Sequence, residues 1–169
     1  MHALTAECQK AIAFPYYDLT PARGLHLTID RVAFDGDITR RQITGVETAA
    51  AHACQGVPPF KGALGGTSGA VGFTAFPAKP IQELRDKLRT AALSVFPEAP
   101  VMRSDFHPHV AIAYANSDDI PAAEAIAAVE TLNPSASVNV IIGEAKLVLL
   151  EQCSGSYSWQ VVSRIPLNS

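Results

Sequence analysis

Two short stretches carry the residue types that proton-transfer chemistry needs: "LHLTI" at 25–29 and "PHVAI" at 108–112. In each, a histidine opens a predicted strand, a branched apolar residue follows, and a small residue stands two positions after the histidine. Side chains two apart on a strand share a face, so His26 goes with Thr28 and His109 with Ala111. Leu27 and Val110 then point the other way, into a core. The two histidines lie about half the chain apart, as expected if each belongs to one half of a duplicated fold and the imidazoles meet across a cleft. Imidazole titrates near neutral pH, so one ring can accept a proton while the other gives one.

Other candidates are weaker. His107 precedes His109 by two residues, and with Asp105 it invites a metal-site reading, but Pro108 and the lack of further clustered ligands speak against one. His52 on an alanine-rich helix and His2 near the start read as solvated. "LGGTSGAVG" has no P-loop lysine and sits between predicted strands, so a turn is expected rather than a phosphate cradle. Tyr16, Tyr17, Tyr157 and Trp159 can stack on a base, although packing in the core or at an edge is the simpler expectation for each.

Composition limits what surrounds these residues. The 169 residues are 48% hydrophobic, enough for a sizeable core in one domain spanning 1–169. Net charge is −3, and the basic residues (Arg40, Arg41, Arg85, Lys87, Arg89) are scattered, which argues against tracking long nucleic acid. Cys8, Cys54 and Cys153 form no CxxC pair, so neither a disulfide framework nor a thiolate zinc site is expected. That fits a reducing cytoplasm. The opening "MHALTAECQKAIAF" does not read as a leader, and no apolar run is long enough to span a membrane.

The elements that must position the histidines follow from periodicity. Leu4, Cys8 and Ile12 suggest a short N-terminal helix. "GLHLTIDRVAF" alternates as a half-buried strand. A helix is expected from Thr39 to Cys54, with Ile43, Val46, Ala50 and Ala53 inward and Gly56 just past its end. "PPFKGALGG" and "GAVGFTAFP" read as strands about a glycine-rich turn. Ile81, Leu84, Leu88, Ala91 and Val95 mark the clearest helix, closed by Pro97. "DFHPHVAIAY" reads as a strand. Asp118 or Asp119 can cap a helix with Ala125, Ile126, Val129 and Leu132 inward, stopped by Asn133-Pro134. "SVNVII", "AKLVLLEQ" and "YSWQVVSRI" complete an α+β chain with three strands.

In order and spacing, "GLHLTIDRVAF", "GAVGFTAFPAKPIQELRDKL" and "FHPHVAIAY" resemble the 2H phosphoesterases, the 2′-5′ RNA ligase or cyclic phosphodiesterase family. The mark of that family is two motifs of histidine, any residue, then threonine or serine. "HLT" matches in full; "HVA" matches only at its histidine. The resemblance implies a bilobal fold of two antiparallel sheets with outer helices, related by a pseudo-twofold axis, with His26 and His109 in the cleft. It implies opening of a 2′,3′-cyclic phosphate on a small nucleotide or RNA end. His26 and His109 would be acid and base, Thr28 would hold the phosphate, and neither metal nor cofactor would be needed. Ala111 supplies no hydroxyl, so impaired or altered turnover is expected, with a water or a neighbouring donor such as Ser104, Arg103 or Tyr114 able partly to replace it, and His107 a further neighbour of the site. A repurposed binding module for a phosphorylated metabolite or nucleotide is the alternative, and a structural protein with incidental histidines a third. Members of the family usually have a strand well before the first motif, where this chain reads as helix. A missing edge strand, covered by that helix or by a second copy in a homodimer, is the corresponding expectation.

Overall fold

Helix α1 (His2–Ala11) forms where the spacing of Leu4, Cys8 and Ile12 places it, and Cys8 and Ile12 are buried in the main core. The computed structural model describes residues 1–67, 71–101, 105–117, 123–124, 127–128, 137–153 and 156–168. A strand that the periodicity does not reveal, β1 (Tyr17–Leu19), comes next, so a short strand does precede His26. Three residues are too few for alternation to register. A 3₁₀ turn (Ala22–Gly24) then leads into the first histidine segment.

That segment corrects the expectation for "GLHLTIDRVAF". Instead of a regular strand, residues 25–34 make a single antiparallel bridge, Leu27 to Val110. The physical reason lies just downstream. The Ile29 carbonyl accepts a hydrogen bond from Arg85 Nε (3.2 Å), and the Asp30 carboxylate is held by Arg89 at 2.7 Å. A helix side chain thus takes the Ile29 carbonyl, which a strand ladder would have used, and the Asp30 ion pair ties the segment to the same helix.

Helix α2 (Arg40–Ala53) starts at a capping box: Gln42 N–H donates to Thr39 Oγ1, and Thr39 N–H donates back to Gln42 Oε1 at 2.9 Å. Strands β2 (Phe60–Thr67) and β3 (Gly72–Phe76) form the expected antiparallel pair, and α3 (Ala78–Val95) the expected long helix. Of the stretch "LGGTSGAVG", where a turn is expected, Leu64 to Thr67 belong to β2, and residues 68–70 lie outside the described residues. Strands β4 (His109–Ala111) and β5 (Ala113–Ala115) replace the single strand expected from Asp105 to Tyr114. The helix expected after Asp118 or Asp119 lies mostly outside the described residues, although Ala123, Glu124, Ala127 and Ala128 are helical. Strands β6 (Ser137–Ile142), β7 (Glu144–Cys153) and β8 (Ser156–Pro166) close the chain as anticipated.

The strands assemble as an antiparallel sheet in the order β4-β3-β2-β6, with pairs β1-β5 and β7-β8 beside it. Ile112 is where the chain changes sheets. Its N–H donates to Val71 (2.7 Å), while its carbonyl accepts from Thr20 N–H (2.9 Å) and Gln9 Nε2 (2.8 Å). Before it the backbone pairs with β3, and after it with β1. Val110, Ile112 and Ala113 join Cys8, Ile12, Tyr17, Leu64, Phe73 and Ile81 in one core, while Ala50, Cys54, Leu84, Ala91, Ile165 and Leu167 pack α2 and α3 against β8. Among the described residues no helix is long and apolar enough to cross a membrane.

Gly56, beyond the end of α2, has φ +70° with nothing within 4 Å of an added Cβ. A substitution there is therefore strained by backbone conformation alone. Gly56→Ala is expected to cost about 1 kcal/mol, or roughly 2–4 °C in Tm, read by thermal unfolding; an unchanged or raised Tm would contradict the assigned conformation.

Candidate functional site

The site is organised by the Leu27–Val110 bridge. Val110 is 4% exposed in the core, and Leu25, Leu27 and Ile29 pack on the same cluster. Antiparallel register about the bridge sets Thr28 opposite His109 and His26 opposite Ala111. All four alternate with the core-facing residues, so they share the other face. On the far side of β4, Thr74 pairs with His109 and Gly72 with Ala111. A Cβ on Gly72 would lie 2.9 Å from the Val110 carbonyl oxygen, so the backbones approach closely there and Ala111 has no side chain beside it on β3.

Each imidazole is fixed in the same way. Nδ1 of His26 lies 2.8 Å from the Gly24 carbonyl oxygen, and Nδ1 of His109 lies 2.8 Å from the His107 carbonyl oxygen. A carbonyl only accepts, so each Nδ1 carries its proton and donates it. In the neutral ring Nε2 is then left as the acceptor. The 3₁₀ turn presents the Gly24 carbonyl; Pro108, by biasing the residue before it toward an extended backbone, helps to present that of His107. His26 is half-buried, whereas His109 and Thr28 are exposed.

Strand β8 adds an aromatic wall. The ring of Trp159 meets His26 edge-on, with centroids 5.0 Å apart, and Tyr157, two residues earlier on the same face, meets Tyr114 at 4.8 Å. Burial first, and then Tyr157, push the Tyr114 hydroxyl above its usual pKa. Tyr114 thus sits past the sheet change at Ile112, in contact with Tyr157. Tyr16 and Tyr17 pack with each other and with Phe14 near β1 instead.

Of the other expected neighbours, His107 contributes its carbonyl, while its side chain and that of Asp105 are exposed ahead of β4. Arg103 and Ser104 lie outside the described residues. Among the described residues no group of three or more His, Cys, Asp or Glu side chains is placed to hold a metal ion. His2 and His52 are exposed, and Cys8 and Cys54 are free and buried, with burial raising both thiol pKa values.

One cluster was missed by sequence reasoning. Arg85 on α3 is 3% exposed, Asp30 lies between it and Arg89, and the guanidinium carbon of Arg85 sits 4.5 Å from the centroid of the Phe106 ring. Removing one member of such a buried ion set costs about 3–5 kcal/mol. The signal was present: Arg85 stands four residues after Ile81 and three before Leu88, inside the apolar stripe of the helix.

Two histidine segments joined back to back by one bridge, in a set of antiparallel sheets with outer helices, define a 2H phosphoesterase fold. A model of the 2′-5′ RNA ligase superfamily matches residues 2–150, and the chain belongs to that family. Among solved structures it is similar to TT0787 of Thermus thermophilus, with a TM-score of 0.71, 18% identity, and coverage of 98% of this chain and 90% of that one. It is also similar to Escherichia coli LigT complexed with 3′-AMP (TM-score 0.62, 19% identity, 97% and 93% covered) and with ATP (0.57, 20%, 97% and 93%). At these identities the likeness is one of fold. No match was found among curated protein sequences.

The carbonyl anchors make a direct expectation. Nitrogen-detected histidine spectra above the titration range should show both His26 and His109 as the Nδ1–H tautomer, against the Nε2–H form common for exposed histidines. An Nε2–H tautomer at either ring would contradict the anchoring.

Proposed function

We propose that this chain is a metal-independent phosphoesterase of 2H type that opens a 2′,3′-cyclic phosphate on a small nucleotide or an RNA end in a reducing cytoplasm. The observation that carries the reading is the matched anchoring of the two imidazoles: both Nδ1 atoms are held by the carbonyl two residues upstream, on one face of one bridge. One neutral ring takes a proton from the attacking water as its oxygen bonds to phosphorus. The other, protonated, gives its proton to the ribose oxygen as that P–O bond breaks. The product is a phosphate monoester on one of the 2′ and 3′ oxygens, with the other freed as a hydroxyl. Thr28, beside His109, donates to a non-bridging oxygen as charge builds. The aromatic wall of Trp159 and Tyr157 gives the base or sugar an apolar surface, and that LigT has been crystallised with 3′-AMP and with ATP agrees with a small phosphorylated ligand.

Ala111 opposite His26 favours a second reading, a cleft that binds a phosphorylated metabolite or nucleotide with little turnover. One hydrogen bond to a charged oxygen contributes roughly 1.5–3 kcal/mol, and about 1.36 kcal/mol is tenfold in rate. Its absence therefore slows the reaction by about 10- to 150-fold, which is a handicap and not a loss of mechanism.

The two readings separate in one experiment, incubation with a 2′,3′-cyclic mononucleotide in the presence of a chelator. Ring opening is expected, with a bell-shaped pH profile, because one imidazole must be neutral while the other is charged. Ala111→Thr should raise turnover within the same ~10- to 150-fold range, since Gly72 leaves room beside it, and His109→Ala should abolish that gain. Thr28→Ala should lower turnover at least as much. Loss of activity with chelator, or an Ala111→Thr variant that changes neither binding nor turnover, would count against the mechanism.

A further inference from the structure

We infer that Arg85 is the positioning residue that holds the His26 and His109 segments at a fixed relative orientation, a role that rests on the proposed division of acid and base between them. The Leu27–Val110 bridge fixes the two segments at one point. Strand β4 is locked to β3 by the pairs Gly72–Ala111, Phe73–Val110 and Thr74–His109, so it is the first segment that can pivot about the bridge, and a pivot moves the two Nε2 atoms relative to one another.

Arg85 supplies a second point. Its Nε donates to the Ile29 carbonyl at 3.2 Å and lies 3.5 Å from the Asp30 carboxylate, three and four residues after His26. The same guanidinium lies over the ring of Phe106, 4.5 Å from its centroid and three residues before His109. One rigid plane, 3% exposed, therefore touches both segments from the side of α3. Guanidinium suits this and ammonium does not, because only a planar group can donate in its plane while stacking through its face. Arg89 keeps a 2.7 Å ion pair with Asp30 that does not depend on Arg85. Replacing Arg85 by lysine therefore leaves the carboxylate paired and removes the planar link to Phe106.

The test uses Arg85→Lys, Arg85→Met and Phe106→Leu in the full chain, each checked for native circular dichroism and cooperative unfolding. The first readout needs no activity: ring signals of His26 and His109 in the free protein should both shift in Arg85→Lys and in Phe106→Leu, while those of exposed His52 stay in place. The second is turnover of a 2′,3′-cyclic mononucleotide. There kcat should fall by about 10- to 100-fold with KM little changed, as expected of misplaced reacting groups, and Arg85→Lys should retain more than Arg85→Met. Should Arg85→Lys fail to fold, Phe106→Leu, which keeps the ion pair, decides by the same signals. Unmoved His26 and His109 signals in a folded variant would overturn the inference. So would a lower Tm with unchanged kcat. Wild-type protein that does not open the cyclic phosphate would refute the proposed function instead, and the ring signals would still decide the role of Arg85.

Discussion

The site depends on one backbone contact between segments that are about half the chain apart, the antiparallel bridge of Leu27 and Val110. Strand side chains alternate with a period of two, so this single register decides where both histidines point. A slip of one residue on either side would turn an imidazole into the core and bring an apolar side chain out. Burial of Val110 and the packing of Leu27 on the same cluster penalise that slip, because each would exchange apolar contact for solvent. Core packing and site geometry are therefore the same constraint viewed from two faces of one strand pair.

Around the bridge, each half of the site is braced by neighbours that do no chemistry. Gly24 and His107 offer carbonyls, Gln9 on α1 reaches the carbonyl of Ile112, and α3 holds the end of the first segment through Arg85 and Arg89. The sheet change at Ile112 joins β4, beside the histidines, to β5, whose Tyr114 touches the aromatic wall of β8. That wall then returns to His26 through Trp159. A closed path of contacts thus links the two histidine segments to the C-terminal hairpin.

Much of this was legible in the sequence where periodicity is long. The stripes of α2 and α3 follow from spacing, and β2, β3 and β6 to β8 follow from short apolar runs between turn residues. Legibility failed where tertiary partners override local pattern. Residues 25–34 alternate like a strand, yet Arg85 and Arg89 take the Ile29 carbonyl and the Asp30 carboxylate and leave one bridge. "DFHPHVAIAY" reads as one strand, yet Pro108 precedes a late start at His109 and the hydrogen bonds of Ile112 divide it. Strand β1 is too short to show a period. The anchoring of both rings by carbonyls has no side-chain signature at all, and only the structure reveals it.

The central claim is that both anchored imidazoles act on a single phosphate. It is tested most directly by a crystal structure of the protein with a nucleoside 2′-phosphate bound. Phosphate oxygens within hydrogen-bond distance of Nε2 of His26, Nε2 of His109 and Oγ1 of Thr28 together are the expected result. A phosphate bound elsewhere, or held by one histidine with the other ring turned away, would contradict the account.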